Sequence, residues 1–189
     1  MANRDAPRGL TPVNNRCLRN RYYVGTDAGI LGIGDAVVRQ TASADPKGYP
    51  EVVKATVGAA MTGVIVAIEP GVSRENSMAP IASADTGYVL VADDPNELFK
   101  IQDNGGATGL AITAIGTHID LVTAIDADSV TGRAKSELDT EAAAADNSFV
   151  VVRADDSPDN DPSLANADWI VKANLHTEVN ASATNVTEI

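Results

Sequence analysis

Short segments in which apolar and polar residues alternate recur from one end of the chain to the other. Eight of them are rich in β-branched residues: DAVVR (35–39), EVVKATV (51–57), MTGVIVAIE (61–69), GYVLVAD (87–93), ELFKIQD (97–103), THIDLVTA (117–124), SFVVVRA (148–154) and DWIVKANL (168–175). Such alternation is typical of strands that bury one face. Asp, Asn, Pro and Gly cluster between the segments, where turns need them. We therefore predict an all-β fold, a single compact β-barrel or β-sandwich domain of short antiparallel strands.

Two further segments have sequences that a helix tolerates, GLAITAIG (109–116) and SELDTEAAAA (136–145). The alanine run of the second segment is equally compatible with a loose connection. Neither segment is long, so we expect a helix content far below the usual third of residues.

The interior of such a fold must be built from aliphatic side chains, because only 4% of the residues are aromatic. Alternation along a strand assigns every second side chain to the core. The residues expected there are Val37, Val53, Val64, Val66, Ile68, Val89, Val91, Phe99, Ile101, Leu121, Val150, Val152, Ile170 and one face of Trp169.

Charge is distributed unevenly along the chain. The first 21 residues hold five arginines and one acid, which makes them +4 and leaves −16 for the remainder of a chain whose net charge is −12. We interpret residues 1–21 as an extended basic N-terminal arm, residues 22–175 as a β-rich core domain and residues 176–189 as a polar C-terminal tail. Deleting residues 2–20 is expected to leave a folded domain, because an arm contributes little to a core.

The N-terminal arm has two possible roles. It is either a solvated, mobile terminus or a strap that docks on another chain, with Pro7 and Pro12 keeping it out of a helix. In the second case its arginines meet carboxylates of the partner. The candidate binding residues are Arg4, Arg8, Arg16 and Arg19.

The acidic remainder of the chain argues against nucleic acid as a direct partner, because phosphate backbones would repel it. A membrane partner is not expected either, since no window reaches the roughly 18 uninterrupted apolar residues of a membrane span. The start, MANRDAPRGL, also lacks the apolar core of a signal peptide. We therefore expect synthesis in the cytoplasm.

The sequence shows no pattern that pairs a nucleophile with a base and an orienting acid. Cys17 is the single cysteine, and one thiol with two histidines does not make a zinc site. Asp93 and Asp94 lie in a turn, where neighbouring carboxylates usually both face water. GILGIG (29–34) has its glycines in the order GxxGxG rather than that of a dinucleotide-binding loop. We interpret it as a loop that enters a strand at Asp35.

One acidic turn is a possible metal site. DDSPDNDP (155–162) could offer clustered oxygens to a calcium ion, from Asp155, Asp156, Asp159 and Asp161. Its spacing departs from that of an EF-hand loop and it contains two prolines, which favours a solvated turn. We therefore predict no catalytic residue, no metal and no cofactor, and a protein that is not an enzyme.

Five stretches carry a resemblance to a known family through their pattern and order: MANRDAPRGLTPV, GIGDAVV, PEVVKATVGAAMTGVIVAIEP, YVLVADDPNELFKIQDNGG and ADWIVKANLHTE. Over about residues 2–178 the chain resembles the head decoration, or cement, proteins that tailed bacteriophages encode beside the major capsid protein. The resemblance implies a β-rich domain that binds the outer surface of an assembled icosahedral shell. The family has no catalytic residues, so none is carried over.

The resemblance also implies partners and a location. The partners are the major capsid protein and further copies of this chain, with a trimer favoured because it matches a threefold position of the shell and a dimer as the alternative. The location is the outer capsid surface of the virion, after synthesis in the host cytoplasm. The arginines of the arm would then face carboxylates of the shell.

Two other functions remain open from the sequence. A host-recognition or carbohydrate-binding β-domain of a phage head fibre would need exposed aromatic rings, and the chain has Trp169, Phe99, Phe149 and four tyrosines. A metal-dependent enzyme would need acids from separate strands to converge.

Overall fold

The computed structural model describes residues 3–14, 16–26, 28–70, 79–106, 108–122, 126–140 and 148–179. These residues form ten strands and one short 3-10 turn at Ile112–Ala114. The strands are β1 (Thr11–Pro12), β2 (Arg19–Val24), β3 (Ala36–Ala44), β4 (Pro50–Lys54), β5 (Gly63–Ile68), β6 (Gly87–Ala92), β7 (Leu98–Gln102), β8 (His118–Ile119), β9 (Phe149–Ala154) and β10 (Asp168–Ala173). The prediction of an all-β fold is confirmed. None of the described ranges contains a helix that is long and apolar enough to cross a membrane.

The strands form a closed barrel and an open sheet. The barrel has the order β2-β4-β3-β5-β6, and the five-stranded sheet has the order β1-β7-β10-β9-β8. All pairs are antiparallel except β2 with β4, which run parallel. The fold is therefore a small barrel beside a sheet, and it combines elements of both predicted architectures.

Two clusters of buried side chains hold this fold together, and the barrel strands contribute to both. Ile65 and Val91 belong to the cluster that includes Leu31 and Val52, which we call the barrel core. Their neighbours Val64 and Ala92 belong to the second cluster, the sheet core, together with Phe99, Phe149 and Trp169. Successive side chains of a strand point to opposite faces. Both faces of β5 and β6 are therefore apolar, which explains their nearly unbroken apolar sequences.

Most of the predicted core residues are buried. The buried ones are Val37, Val64, Ile68, Val89, Val91, Phe99, Ile101, Trp169 and Ile170, whereas Val53, Val66, Leu121 and Val150 are half-buried. Val152 is exposed, so its assignment to the core is wrong. The run FVVV in β9 has no polar residue to mark the outer face, and the structure buries Phe149 and Val151 instead.

The predicted boundary after residue 21 is corrected by the structure. Leu10 and Cys17 are buried in the sheet core, β1 pairs with β7, and β2 already begins at Arg19. The described N-terminal residues are therefore part of the domain. The boundary at residue 176 is also corrected, since His176 is buried and pairs with Met61 in an isolated bridge. The rest of the predicted tail from residue 180 lies outside the described residues.

The two segments considered for helices form none in the described residues. GLAITAIG contains only the 3-10 turn, and residues 136–140 of the second segment are not helical. Its alanine run, residues 142–145, lies outside the described residues. GILGIG is the predicted loop: Leu31 and Ile33 make isolated bridges, and β3 begins two residues after Gly34.

A buried carboxylate, Asp103, fixes the loops at the end of β7. Its Oδ1 accepts hydrogen bonds from the backbone N–H groups of Gly105 and Asn166, both at 2.9 Å. Its Oδ2 accepts one from Leu110 N at 3.1 Å and one from the indole Nε1 of Trp169 at 3.0 Å. Asp103 is fully buried, and four donors offset the cost of burying its charge.

We expect the substitutions Phe99→Ala and Val66→Ala to lower the free energy of unfolding by different amounts, because Phe99 is fully buried and Val66 is half-buried. Phe99 is 1% exposed in the sheet core, so its truncation should lower the free energy of unfolding by about 3–5 kcal/mol. Val66 packs against the same core but is only half-buried, so we expect a loss of about 1 kcal/mol. Urea unfolding measures both values. Equal losses would contradict the assignment of the two positions.

Candidate functional site

The candidate site is the N-terminal segment, residues 3–14 and 16–21, which carries the four predicted binding arginines. Its first residue is anchored on the loop before β10. The Asn3 side chain donates to the carbonyl oxygens of Asp161 (2.9 Å) and Ala165 (3.0 Å) and accepts from Asp161 N (2.9 Å). The carboxamide of the buried Gln102 donates a hydrogen bond to Arg4 O (2.8 Å) and accepts one from Ala6 N (2.9 Å). The segment is thus held on its own chain before β1 begins.

Two glycines allow the segment to cross the loop that leads into β3. Leu10 N donates to Gly34 O at 2.9 Å. Gly9 and Gly34 both have positive φ angles, of 68° and 98°. A Cβ atom on Gly9 would lie 2.6 Å from Gly34 O, and one on Gly34 would lie 2.7 Å from Arg8 O. Only glycine fits this crossing without strain.

Beyond the crossing, the segment joins the edge of the open sheet. Thr11 pairs with Lys100 and Pro12 with Phe99, and Val13 N donates to Leu98 O at 2.8 Å. Proline is acceptable here because an edge strand needs hydrogen bonds on one side only. The prediction that the prolines keep the segment extended agrees with this strand.

Arg8 is bound to a carboxylate of its own chain. Its guanidinium lies 2.7 Å from Asp168 Oδ2, and Lys100 Nζ lies 3.1 Å from the same oxygen. Lys100 Nζ also lies 2.7 Å from Asp155 Oδ2. Burial works against its charge, but hydrogen bonds to both carboxylates raise the pKa of Lys100 above its usual value. Arg8 therefore belongs to an ion-pair network whose partners lie on its own chain. Its role in binding a capsid stays a prediction.

The other predicted arginines are exposed residues. Arg4 and Arg16 are exposed, and within the described part of the chain neither makes an ion pair with a carboxylate. Arg19 is exposed on β2, and its Nε donates to Cys17 Sγ at 3.4 Å. The structure does not gather the four arginines at one point but spreads them along the segment.

Two cavities of about 220 Å³ lie along this segment. Arg4 and Arg8 line the first, together with Asp159 and Asn160 of the acidic turn. Arg19 lines the second, which lies between β1 and the barrel and has apolar walls that include Ile65.

Arg133 also lines the second cavity and was missed by the sequence reasoning. It reaches the cavity because its backbone forms an isolated bridge with Ile33, and no local pattern in the sequence indicates this pairing.

Three of the four predicted acids of the turn 155–162 bind groups of the protein itself. Asp155 pairs with Lys100, Asp156 pairs with Arg153 at 2.8 Å, and Asp161 accepts from the Ser163 hydroxyl at 2.6 Å. Across the described ranges, no three His, Cys, Asp or Glu side chains come together as a possible metal site.

Asp93 and Asp94 lie in the predicted turn, but they accept hydrogen bonds from different groups. Asp93 Oδ2 accepts hydrogen bonds from the Tyr22 hydroxyl and from Asn20 Nδ2, both at 2.8 Å. Burial and the bond to Asp93 raise the pKa of Tyr22 well above its usual value. Asp94 instead accepts from Asn96 N at 2.8 Å, which closes the turn before β7. The two carboxylates do not act as a pair.

The aromatic residues are mostly inside the protein. Trp169, Phe99 and Phe149 are fully buried, so they offer no surface for stacking a sugar. Tyr49 and Tyr88 are half-buried on the barrel with their ring centroids 5.6 Å apart, and the guanidinium carbon of Arg21 lies 4.8 Å and 4.0 Å from these centroids. Arg21 already covers these two rings, as cation–π contact does.

The described residues of this segment offer groups that suit binding to another macromolecule. Exposed guanidinium groups at fixed positions suit carboxylates of another macromolecule, and the apolar wall of the second cavity can bury an aliphatic side chain. In comparisons with known proteins, no family model matched this chain, and neither did any curated protein or any solved structure.

Proposed function

We propose that this chain is a structural virion protein that binds the outer surface of a phage capsid and joins neighbouring major capsid subunits. The observation that carries the proposal is the presentation of Arg4 and Arg16, exposed and without a carboxylate partner in the described residues, on an otherwise acidic all-β body. The resemblance in the order of the strand sequences points to the same family.

The way in which the segment is held favours binding. Ordering a free arm on a partner would cost about 1–2 kcal/mol per residue in backbone entropy. Here Asn3, Gln102 and β1 fix the segment on its own chain, so its arginines are already positioned. Preorganisation of this kind lowers the cost of association.

A capsid shell repeats the same contacts many times, so individually weak contacts add up to stable attachment. We place a homo-oligomer on the virion surface, a trimer at threefold positions in preference to a dimer at twofold positions. Each copy then gains from simultaneous attachment to several capsid subunits. The protein is made in the host cytoplasm, has no catalytic role and contacts neither nucleic acid nor a membrane directly.

We expect the double substitution Arg4→Glu/Arg16→Glu to weaken capsid binding by about tenfold or more, because it places two acids against carboxylates of the shell. The measurement is co-sedimentation with undecorated capsids assembled from the major capsid protein of a tailed phage that carries this gene. Binding of the unsubstituted protein should also fall as salt rises.

The matched control is Arg39→Glu/Arg153→Glu, which changes the net charge equally. Both residues form ion pairs outside the N-terminal segment, Arg39 with Glu178 and Arg153 with Asp156. Equal loss in both double variants would mean that net charge alone governs binding. Full binding by the Arg4→Glu/Arg16→Glu variant would refute the role of the segment, and no binding by the unsubstituted protein would refute the proposed function.

A further inference from the structure

A lysine and an aspartate meet inside the protein where β3 and β4 pair. Lys54 Nζ lies 3.5 Å from Asp35 Oδ1, and the Asp35 side chain is fully buried while that of Lys54 is only 14% exposed. Asp35 Oδ2 accepts a hydrogen bond from Gly32 N at 2.8 Å, whereas Oδ1 has no hydrogen bond. One oxygen of the carboxyl group is thus fixed, and the other faces the amine.

The pair lies beside a narrow cavity with mostly apolar walls. Ala36, Ala55, Val57, Leu121 and Val122 line the adjoining cavity, which has a volume of only about 10 Å³. That volume is about the smallest that holds a single water molecule. The backbone fixes the pair as well, because Val37 is the register partner of Lys54 and Ala55 N donates to Ala36 O at 2.9 Å.

Two separated charges are unfavourable in such a place. Burial raises the pKa of Asp35, although Lys54 and the Gly32 N–H oppose the shift. A proton passed from the ammonium group to the carboxylate would leave a neutral amine beside a neutral carboxylic acid. That is the state in which an amine is a nucleophile and a carboxyl carbon can accept it.

We propose that Lys54 and Asp35 form an intramolecular isopeptide bond. Lys54 Nζ adds to Asp35 Cγ, the bond between Cγ and Oδ1 breaks, and Oδ1 leaves as water with a proton from the acid and one from the amine. The product is one amide and one water molecule, and no oxidant, reductant or further reactant is needed.

One neighbouring backbone group assists this condensation. The Gly32 N–H lies where negative charge develops on Oδ2 in the tetrahedral intermediate, as an oxyanion donor does. Asp126 Oδ1 lies 4.0 Å from Lys54 Nζ, which is beyond hydrogen-bond reach, so the amine proton passes directly to the leaving oxygen. The held geometry supplies the high effective concentration that intramolecular reactions show.

The test is the intact mass of the purified full-length protein under denaturing conditions, followed by peptide mapping. We expect a mass one water, about 18 Da, below that of the sequence. We also expect a branched peptide that joins Lys54 to Asp35. The variant Lys54→Arg keeps the positive charge but cannot form this amide, and it should show the full sequence mass.

The control variant is Lys100→Arg. Lys100 lies closer to a carboxylate, 2.7 Å from Asp155, but its side chain is 25% exposed and water reaches it. This variant should still show the loss of one water and the same branched peptide. Wild-type protein with the full sequence mass would overturn the proposal, and so would a loss of water that maps elsewhere. These readings do not depend on whether Lys54→Arg folds, nor on binding to a capsid.

Discussion

Deletion of residues 2–20 is expected to abolish the folded state rather than to release a separate domain. The deletion removes β1, the first two residues of β2 and the side chain of Leu10, which is 1% exposed in the sheet core. It also leaves the buried carboxamide of Gln102 without its bonds to Arg4 and Ala6. These losses together approach the roughly 5–15 kcal/mol that stabilises a whole domain. Thermal unfolding followed by circular dichroism should show no cooperative transition.

Two single substitutions separate the effect of lost core packing from the effect of a shorter chain. Leu10→Ala should lower the free energy of unfolding by about 2–5 kcal/mol, because it opens a cavity in the sheet core. Leu18→Ala is the matched control, since Leu18 is 59% exposed and should be replaced with little effect. A truncated protein that melts at the temperature of the full chain would show that the segment is only an arm.

The second large effect is expected at Asp103. In Asp103→Asn, an amide NH2 group replaces one carboxylate oxygen and faces two donors that need an acceptor. Because the site is fully buried, we expect a loss of about 3–5 kcal/mol in the free energy of unfolding. Urea unfolding measures the loss, with circular dichroism in parallel because Trp169, the single tryptophan, donates to this carboxylate.

Asp156→Asn is the control for Asp103→Asn. The Asp156 side chain is 89% exposed and makes one ion pair with Arg153, so its loss should leave the unfolding transition near that of the wild type. If both variants unfolded at the same urea concentration, the carboxylate of Asp103 would not hold the loops together.

Much of the strand pattern could be predicted, because alternation is a local property. Seven of the eight predicted segments overlap a strand of five residues or more, among β3 to β10, and the eighth contains only the two residues of β8. The prediction of which face of a strand is buried was less accurate. In β9 the apolar run leaves the choice between Phe149 and Val150 to tertiary packing, which the sequence does not reveal.

β2 was missed because its sequence, RNRYYV, looks like the end of a basic arm. The alternation is present, with Tyr22 and Val24 buried and Arg21 and Tyr23 half-buried, but the charge pattern outweighed it. Closure of the barrel by the β2–β4 and β2–β6 pairs involves partners far along the chain. A local reading of the sequence cannot supply that information.

The candidate site was predictable in its residues but not in its contacts. The four arginines stand out by charge, yet the partner of Arg8 is Asp168, at the opposite end of the sequence. The encounter of Asp35 with Lys54 likewise depends on the register of β3 against β4. Distances of this kind follow from topology, and only the folded chain shows them.

The barrel and the open sheet become complete at different times during synthesis, because their strands lie in different parts of the chain. All five barrel strands lie between Arg19 and Ala92, so the barrel can close while the remainder of the chain is still being synthesised. β1 precedes them but pairs only with β7, where Thr11 meets Lys100. Contacts that span so much of the chain form late. The first residues to leave the ribosome should therefore be among the last to reach their final positions, once β7 is available to pair with them.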